Sequence, residues 1–224
     1  MKTLKPVVLL LSAALLTFSA GCTETGRTPA TSGVVTEELG ESLIQPADLP
    51  GWNQETVADD GVETRIAENH GKSVEAEGGN VCDPEDAAGL QFSNVDLMMT
   101  VSSRARRTCG SMEENMEKNL GDETFRRDAV REELSTQMAV IGVSAANLTY
   151  ELTGLSVDKN VHVYKVRADM LGSNGDTLVY TAYEVTVYSP RVVTTMTAAG
   201  WGVEFPVEEV ARLTALIQAR LSVL

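Results

Sequence analysis

Positive charge is scarce in this sequence. Its 224 residues hold 18 Lys and Arg against 32 Asp and Glu, a formal charge of −14. Phosphate backbones are gripped by concentrated Lys and Arg, so a chain this acidic is excluded as a general nucleic-acid binder. Histidine is nearly absent, with two residues. His70 lies in the polar stretch ENHGK and reads as solvated, while His162 opens a strand beside Tyr164 and reads as a satisfied edge residue. No G-x-S-x-G, H-E-x-x-H or P-loop pattern is present, nor a G-x-G-x-x-G between strand and helix. The sequence therefore offers no nucleophile–base pair, metal set or cofactor cradle. Long apolar runs are also missing apart from one at the N-terminus, which excludes a polytopic membrane protein. A disordered chain is excluded as well, because 43% of the residues are hydrophobic.

The first 22 residues carry the strongest signal. Lys2 and Lys5 precede the twelve-residue stretch Val7 to Phe18, VVLLLSAALLTF. At a helical rise of 1.5 Å per residue that stretch spans about 18 Å, short of the roughly 30 Å hydrocarbon core. It reads as the h-region of a signal peptide over residues 1–21. Ser19, Ala20 and Gly21 then lead into Cys22. The motif SAGC resembles the lipobox of bacterial lipoproteins, which implies that Cys22 is diacylated and becomes the mature N-terminus. Two acyl chains suffice for stable anchoring. Cleavage removes Lys2 and Lys5 and no acid, leaving 16 basic residues against 32 acidic ones. Anionic lipid headgroups repel such a domain, so the membrane partner is reached through the lipid alone. Residues 22–35, rich in Thr, Ser and Gly, read as a lipidated, flexible tether.

With Cys22 acylated, Cys82 and Cys109 remain. Two cysteines in an exported chain read as one disulfide. Its loop of about 27 residues is worth roughly 3.5 kcal/mol in chain-entropy terms. Metal binding by the pair is disfavoured, since there is no C-x-x-C and neither histidine is near.

Residues 36–224 show no repeat or second linker and form one expected domain. Glu37 to Ile44 suits a short helix before Pro46, followed by the turn-rich LIQPADLPGW. Strand patterning is weak at Val62, Thr64 and Ile66 and clearer from Asn94 to Ser102, where Val95, Leu97, Met99 and Val101 alternate. Two helices are expected next. One starts at Ser111 with Glu114 at capping-box spacing, and the second is capped by Asp122 and carries Phe125, Val130, Leu134 and Met138 near one face. From Asn147 the period is two. Leu148, Tyr150 and Leu152 alternate, as do His162, Tyr164, Val166, Ala168 and Met170. Lys165, Arg167 and Asp169 point the other way, so this strand reads as half-solvated. A turn at 173–176 leads into Thr177 to Tyr188, and Ser189-Pro190-Arg191 turns into Val192 to Thr197. Trp201, Val203 and Phe205 continue the alternation. Pro206 opens a final helix striped by Val207, Val210, Leu213, Ile217 and Leu221. The expected fold is α+β: an antiparallel C-terminal meander of about four strands with helices covering its buried face.

The acidic groups Asp59-Asp60, DPED at 83–86 and Glu113-Glu114 lack calcium-loop spacing and read as solvated surface. Arg104, Arg106 and Arg107 are the one dense positive group, read as charge balance, with an anion or acidic partner as the alternative. The large amphipathic residues gather late: Tyr150, Tyr164, Tyr180, Tyr183, Tyr188 and Trp201. Such residues fill cores and also line ligand sites. Trp201, set between Gly200 and Gly202, with Tyr164 and Tyr183, forms the candidate ligand site between sheet and helices.

The lipobox SAGC, LIQPADLPGW, Cys82 and Cys109, the β-rich second half and the closing helix LIQARLSVL together resemble actinobacterial lipoproteins. These are similar to the extracellular sensor domain of mycobacterial serine/threonine protein kinase H. The resemblance implies an α+β fold with a ligand-binding groove. The expectation is a non-enzymatic lipoprotein, facing outward on the cell membrane, that binds an unknown envelope ligand or protein. A carrier of lipids or other apolar molecules stands second, and an envelope hydrolase third.

Overall fold

The computed structural model describes residues 39–56, 87–107, 143–155, 158–172 and 175–224, together with positions 111, 116, 127, 128, 130, 131, 134, 135 and 138. Seven strands form one sheet: β1 (Asn53–Thr56), β2 (Ala87–Asn94), β3 (Met99–Arg107), β4 (Val143–Leu152), β5 (Val161–Gly172), β6 (Thr177–Tyr188) and β7 (Val192–Trp201). Their order is β1-β2-β3-β7-β6-β5-β4, antiparallel throughout. The expected C-terminal meander is β4 to β7. A second meander, β1 to β3, extends it through β3 against β7. The α+β class holds: one antiparallel sheet with helices packed on it.

β1 and β2 lie outside the expected strands, and the alternation from Asn94 to Ser102 spans a turn. β2 ends at Asn94, Val95 to Met98 turn, and β3 begins at Met99. The Asn94 side chain accepts a hydrogen bond from the Leu97 N–H at 3.1 Å, and Met98 takes φ 56°. That leaves Leu97 exposed. At the far edge β4 carries a bulge between Ala146 and Thr149. There Asn147 sits at φ 50° and donates to Asp169 at 2.9 Å. Asn is among the few residues that tolerate this conformation, and the bulge blunts an exposed edge strand.

Both faces of the sheet carry a core, where one buried face was expected. Val161 and Val163 of β5, Tyr183, Val185 and Val187 of β6, and Val192, Met196 and Ala198 of β7 point to one face. The C-terminal helix (Val207–Leu221) covers it with Val210, Leu213, Ile217 and Leu221. Glu208 and Glu209 in its first turn and Arg220 in its last complement the helix dipole. Pro206 stands just before the helix, its carbonyl accepting from Val210 N–H at 3.1 Å. The alternation after Trp201 does not continue as strand: the chain turns at Gly202 and buries Phe205 beneath the helix.

The expected N-terminal helix is seen as α-helix at 39–42 among the described residues, and Pro46–Asp48 adds a 3-10 turn. Leu39, Leu43, Ile44 and Leu49 complete the first core. This segment is held by polar contacts that would otherwise be buried costs. Ser103 Oγ accepts from Ile44 N–H at 3.2 Å, and Thr194 donates to Ser42 Oγ at 3.2 Å.

The opposite face, here called the far face, buries Tyr150, Tyr164, Val166, Ala168, Met170, Tyr180, Ala182, Ala199 and Trp201. Leu134 and Met138, both helical, pack there with Val130. Thus the expected second helix covers the far face at the positions described. Ser111 is described and exposed, ahead of helical Met116, while Glu114, Asp122, the patterning at 62–66, His70, Cys22, Cys82 and Cys109 lie outside the described residues.

Candidate functional site

Antiparallel register fixes which side chains share the far face. On β5 and β6 they are the even residues, on β7 the odd ones, and on β3 the even ones. Read across the strands, this face divides in two. Its upper half is the apolar cluster around Tyr180 and Trp201. Its lower half is polar. One row aligns Tyr164, Glu184, Thr197 and Ser102, and the next aligns His162, Thr186, Thr195 and Arg104. A third pairs Tyr188, Val193 and Arg106. Strands lie about 4.8 Å apart, so each four-residue row spans roughly 15 Å.

Most of these polar side chains are half-buried: His162, Glu184, Thr186, Thr195, Thr197, Ser102 and Arg104, with Arg106 exposed. A half-buried polar run in the middle of a sheet is unusual, because central strands bury apolar residues. Aromatic walls frame it. Tyr150 stacks on Tyr164 at 4.6 Å between centroids, and its hydroxyl donates to Glu184 at 3.0 Å. His162 meets Tyr188 edge-on at 5.7 Å. Asn160 in turn donates to the Tyr188 carbonyl at 3.2 Å, fixing that strand end. The floor thus presents hydroxyls, an imidazole, a carboxylate and guanidiniums. Such a set can recognise a polar ligand by many hydrogen bonds.

The three residues expected to form one site do not converge. Tyr164 and Trp201 share the far face, Tyr164 in the polar half and Trp201 in the apolar half. Tyr183 points to the other face, because it pairs with Lys165 and follows the odd register of β6. Trp201 is core: it is 6% exposed and lies 4.7 Å from Tyr180. Its glycines have backbone reasons. A Cβ on Gly200 would collide with the Val203 carbonyl, and Gly202 takes φ 74° in the turn leaving β7.

On the opposite face Tyr183 donates to Glu204 at 3.0 Å, and Lys165 pairs with the same carboxylate. Hydrogen bonds from Lys165 and then Tyr183 hold the Glu204 carboxyl below its usual range. Glu204 likewise keeps Lys165 protonated above its usual range. Burial, then the bond to Glu204, pushes the Tyr183 hydroxyl up. This triad pins the turn after β7 to the sheet. The pair is open to water and contributes little to stability.

Two surface depressions lie away from the polar rows. One separates Leu43 and Gln45 from Ala88 to Leu90 of β2. The other lies between Trp52 and the C-terminal helix, where Arg212 is paired with Glu209. Both are open and shallow. The arginine group is split by the pleat: Arg104 and Arg106 face the polar rows, while Arg107 sits opposite Val192 on the other face. Strict alternation of Arg104 with Arg106, Glu184 with Thr186, and Thr195 with Thr197 was the sequence signal for these rows. Among the described residues no helix is long and apolar enough to cross a membrane.

No protein-family model and no curated protein matches the chain. Among solved structures it is similar to the extracellular domain of PknH from Mycobacterium tuberculosis. The identity is 10%, the match covers 89% of this chain and 100% of that one, and the TM-score is 0.46.

Proposed function

We propose that this chain is a membrane-anchored, exported lipoprotein whose domain binds a ligand or partner at the cell envelope, without turnover, through the polar rows of the far sheet face. The carrying observation is that lower half: seven half-buried polar groups in two rows at the centre of a sheet, framed by Tyr150, Tyr164 and Tyr188. Polar groups in such a position are costly unless paired, and Arg104, Arg106, His162 and Glu184 each have a partner within the chain that a ligand would join or displace. Binding of a polar ligand is favoured over carriage of apolar molecules, because the apolar half of the face is already filled by Leu134, Met138 and Trp201.

Native mass spectrometry of the full-length chain, extracted from its own envelope, tests this reading. The wild type is expected to carry an added mass that Thr195→Trp, which fills the floor of the rows, loses. A bare wild-type mass in every preparation overturns it.

The anchor belongs to the same proposal and rests on the short h-region ending in SAGC. Cys22→Ala is expected to free the protein from membranes or leave it uncleaved. A cleaved, unmodified N-terminus with membrane retention unchanged would refute lipidation. Cys82 and Cys109 then form the single disulfide, which peptide mapping without reduction detects as one cross-linked pair.

A further inference from the structure

We infer that the ligand of the polar rows is an anion, a small molecule bearing a carboxylate or phosphate group, held by Arg104 and Arg106. The inference rests on the binding reading above and narrows it to a charge class.

The geometry begins with the pleat. Arg104 and Arg106 are two residues apart on β3 and share the far face, so their Cα atoms lie about 6.6 Å apart. Two guanidiniums at that spacing can close on one group. Each offers planar, paired donors matched to the two oxygens of a carboxylate or phosphate. Thr195 stands directly opposite Arg104, with Thr186 and His162 next in the row. These give hydroxyl and imidazole hydrogen bonds to the body of the ligand, leading away from its charged end. Glu184 is the carboxylate described on this part of the face, one row away, and it accepts from Tyr150.

The charge of the whole chain sharpens the point. At −14 the long-range field disfavours anions. A solvated arginine pair spread for charge balance needs no common face and no row of hydroxyls beside it. Arg107, adjacent in sequence, is turned to the other face, so the grouping is a product of the sheet and not of a basic run. Arg104 and Arg106 each already engage other groups of the chain. An entering anion therefore joins or displaces those contacts, which points to moderate affinity rather than tight capture.

The test is calorimetric titration of the purified full-length chain at neutral pH and about 0.1 M salt, where the screening length is about 10 Å. The probes are inorganic phosphate, succinate and choline. Phosphate or succinate is expected to bind and choline is not. Response to phosphate alone assigns a phosphate group, and response to succinate alone a carboxylate. Arg104→Gln and, separately, Arg106→Gln are expected to weaken the responding anion at least tenfold, with the melting temperature nearly unchanged. Two variants are used so that a folding defect in one leaves the other informative. The inference is overturned if neither anion binds the wild type, or if both variants bind as well as it does. If the envelope-derived mass is present and lost in Thr195→Trp while neither anion binds, the binding reading stands and the anionic class falls. If that mass is absent too, both fall.

Discussion

Trp201→Ala is expected to destabilise the domain by about 3–5 kcal/mol, the usual cost of emptying a large aromatic site in a core. For a chain of this size 1 kcal/mol lowers the melting temperature by about 2–4 °C, so a fall of roughly 6–20 °C is expected in a thermal melt. The indole is 6% exposed at the end of β7 and packs on Tyr180 within the apolar half of the far face. Its backbone is committed as well: the Trp201 N–H donates to Met98 at 3.0 Å, and the Gly202 N–H donates to Val179 at 2.7 Å. With both strands fixed, the site cannot collapse around the missing ring, which places the cost toward the upper end. Trp201→Phe keeps part of the volume and is expected to lose less than half as much. The ring is well away from Arg104, so anion binding by the folded variant should be preserved. A loss under about 1 kcal/mol would mean that the ring borders an opening, and the site would then extend into the upper half of the face.

Alternation made β4 to β7 readable because each runs long between turn residues. β1 and β2 were not readable for a physical reason. β1 is four polar residues, NQET, and β2 opens with Ala87, Ala88 and Gly89, which carry little apolar contrast. These strands form because β3 offers a paired edge and Phe92 and Leu90 reach the first core. Val95 and Leu97 misled in the opposite sense, keeping strand period inside a turn set by the Asn94 side chain. The second core was hidden because β5 buries side chains on both faces. Val161 and Val163 serve one face, while Tyr164, Val166, Ala168 and Met170 serve the other. A single alternation records one face and assigns the rest to solvent. The same ambiguity grouped Tyr183 with Tyr164. Only the pairing of Tyr164 with Glu184, and of Tyr183 with Lys165, separates them. Local sequence does not fix that register, because strand pairing is a long-range choice.

Arg220→Leu is expected to cost about 3 kcal/mol at neutral pH, because it strands a buried carboxylate. Arg220 forms a two-pronged pair with Asp48, at 2.7 and 2.9 Å, and also donates to the Leu43 carbonyl at 2.7 Å. Asp48 keeps 10% side-chain exposure. Its own position is set by the 3-10 turn, where it accepts from the Gln45 N–H at 2.6 Å. One cluster therefore ties the N-terminal segment to the last turn of the C-terminal helix. Burial alone would raise the Asp48 carboxyl. The Arg220 and Gln45 hydrogen bonds, with the charges of Arg220 and Arg212, more than offset it and hold the group below its usual 3.8. A carboxyl depressed on folding adds stability above its unfolded value, and that stability is lost as pH falls through the folded one. The wild type should thus keep this contribution down to about pH 4 and lose it below. In Arg220→Leu the Gln45 bond and the Arg212 charge remain but the Arg220 bond and charge are lost, so the carboxyl rises relative to the wild type, and the gap between variant and wild type should be widest at neutral pH and close as Asp48 protonates. Asp48→Asn in the Arg220→Leu background removes the stranded charge while sparing the bond to Gln45, and should recover about half of the loss. Urea melts at about pH 7 and pH 3 decide the matter: a gap of equal size at both would show that packing of the arginine stem, and not the ion pair, joins the helix to the segment.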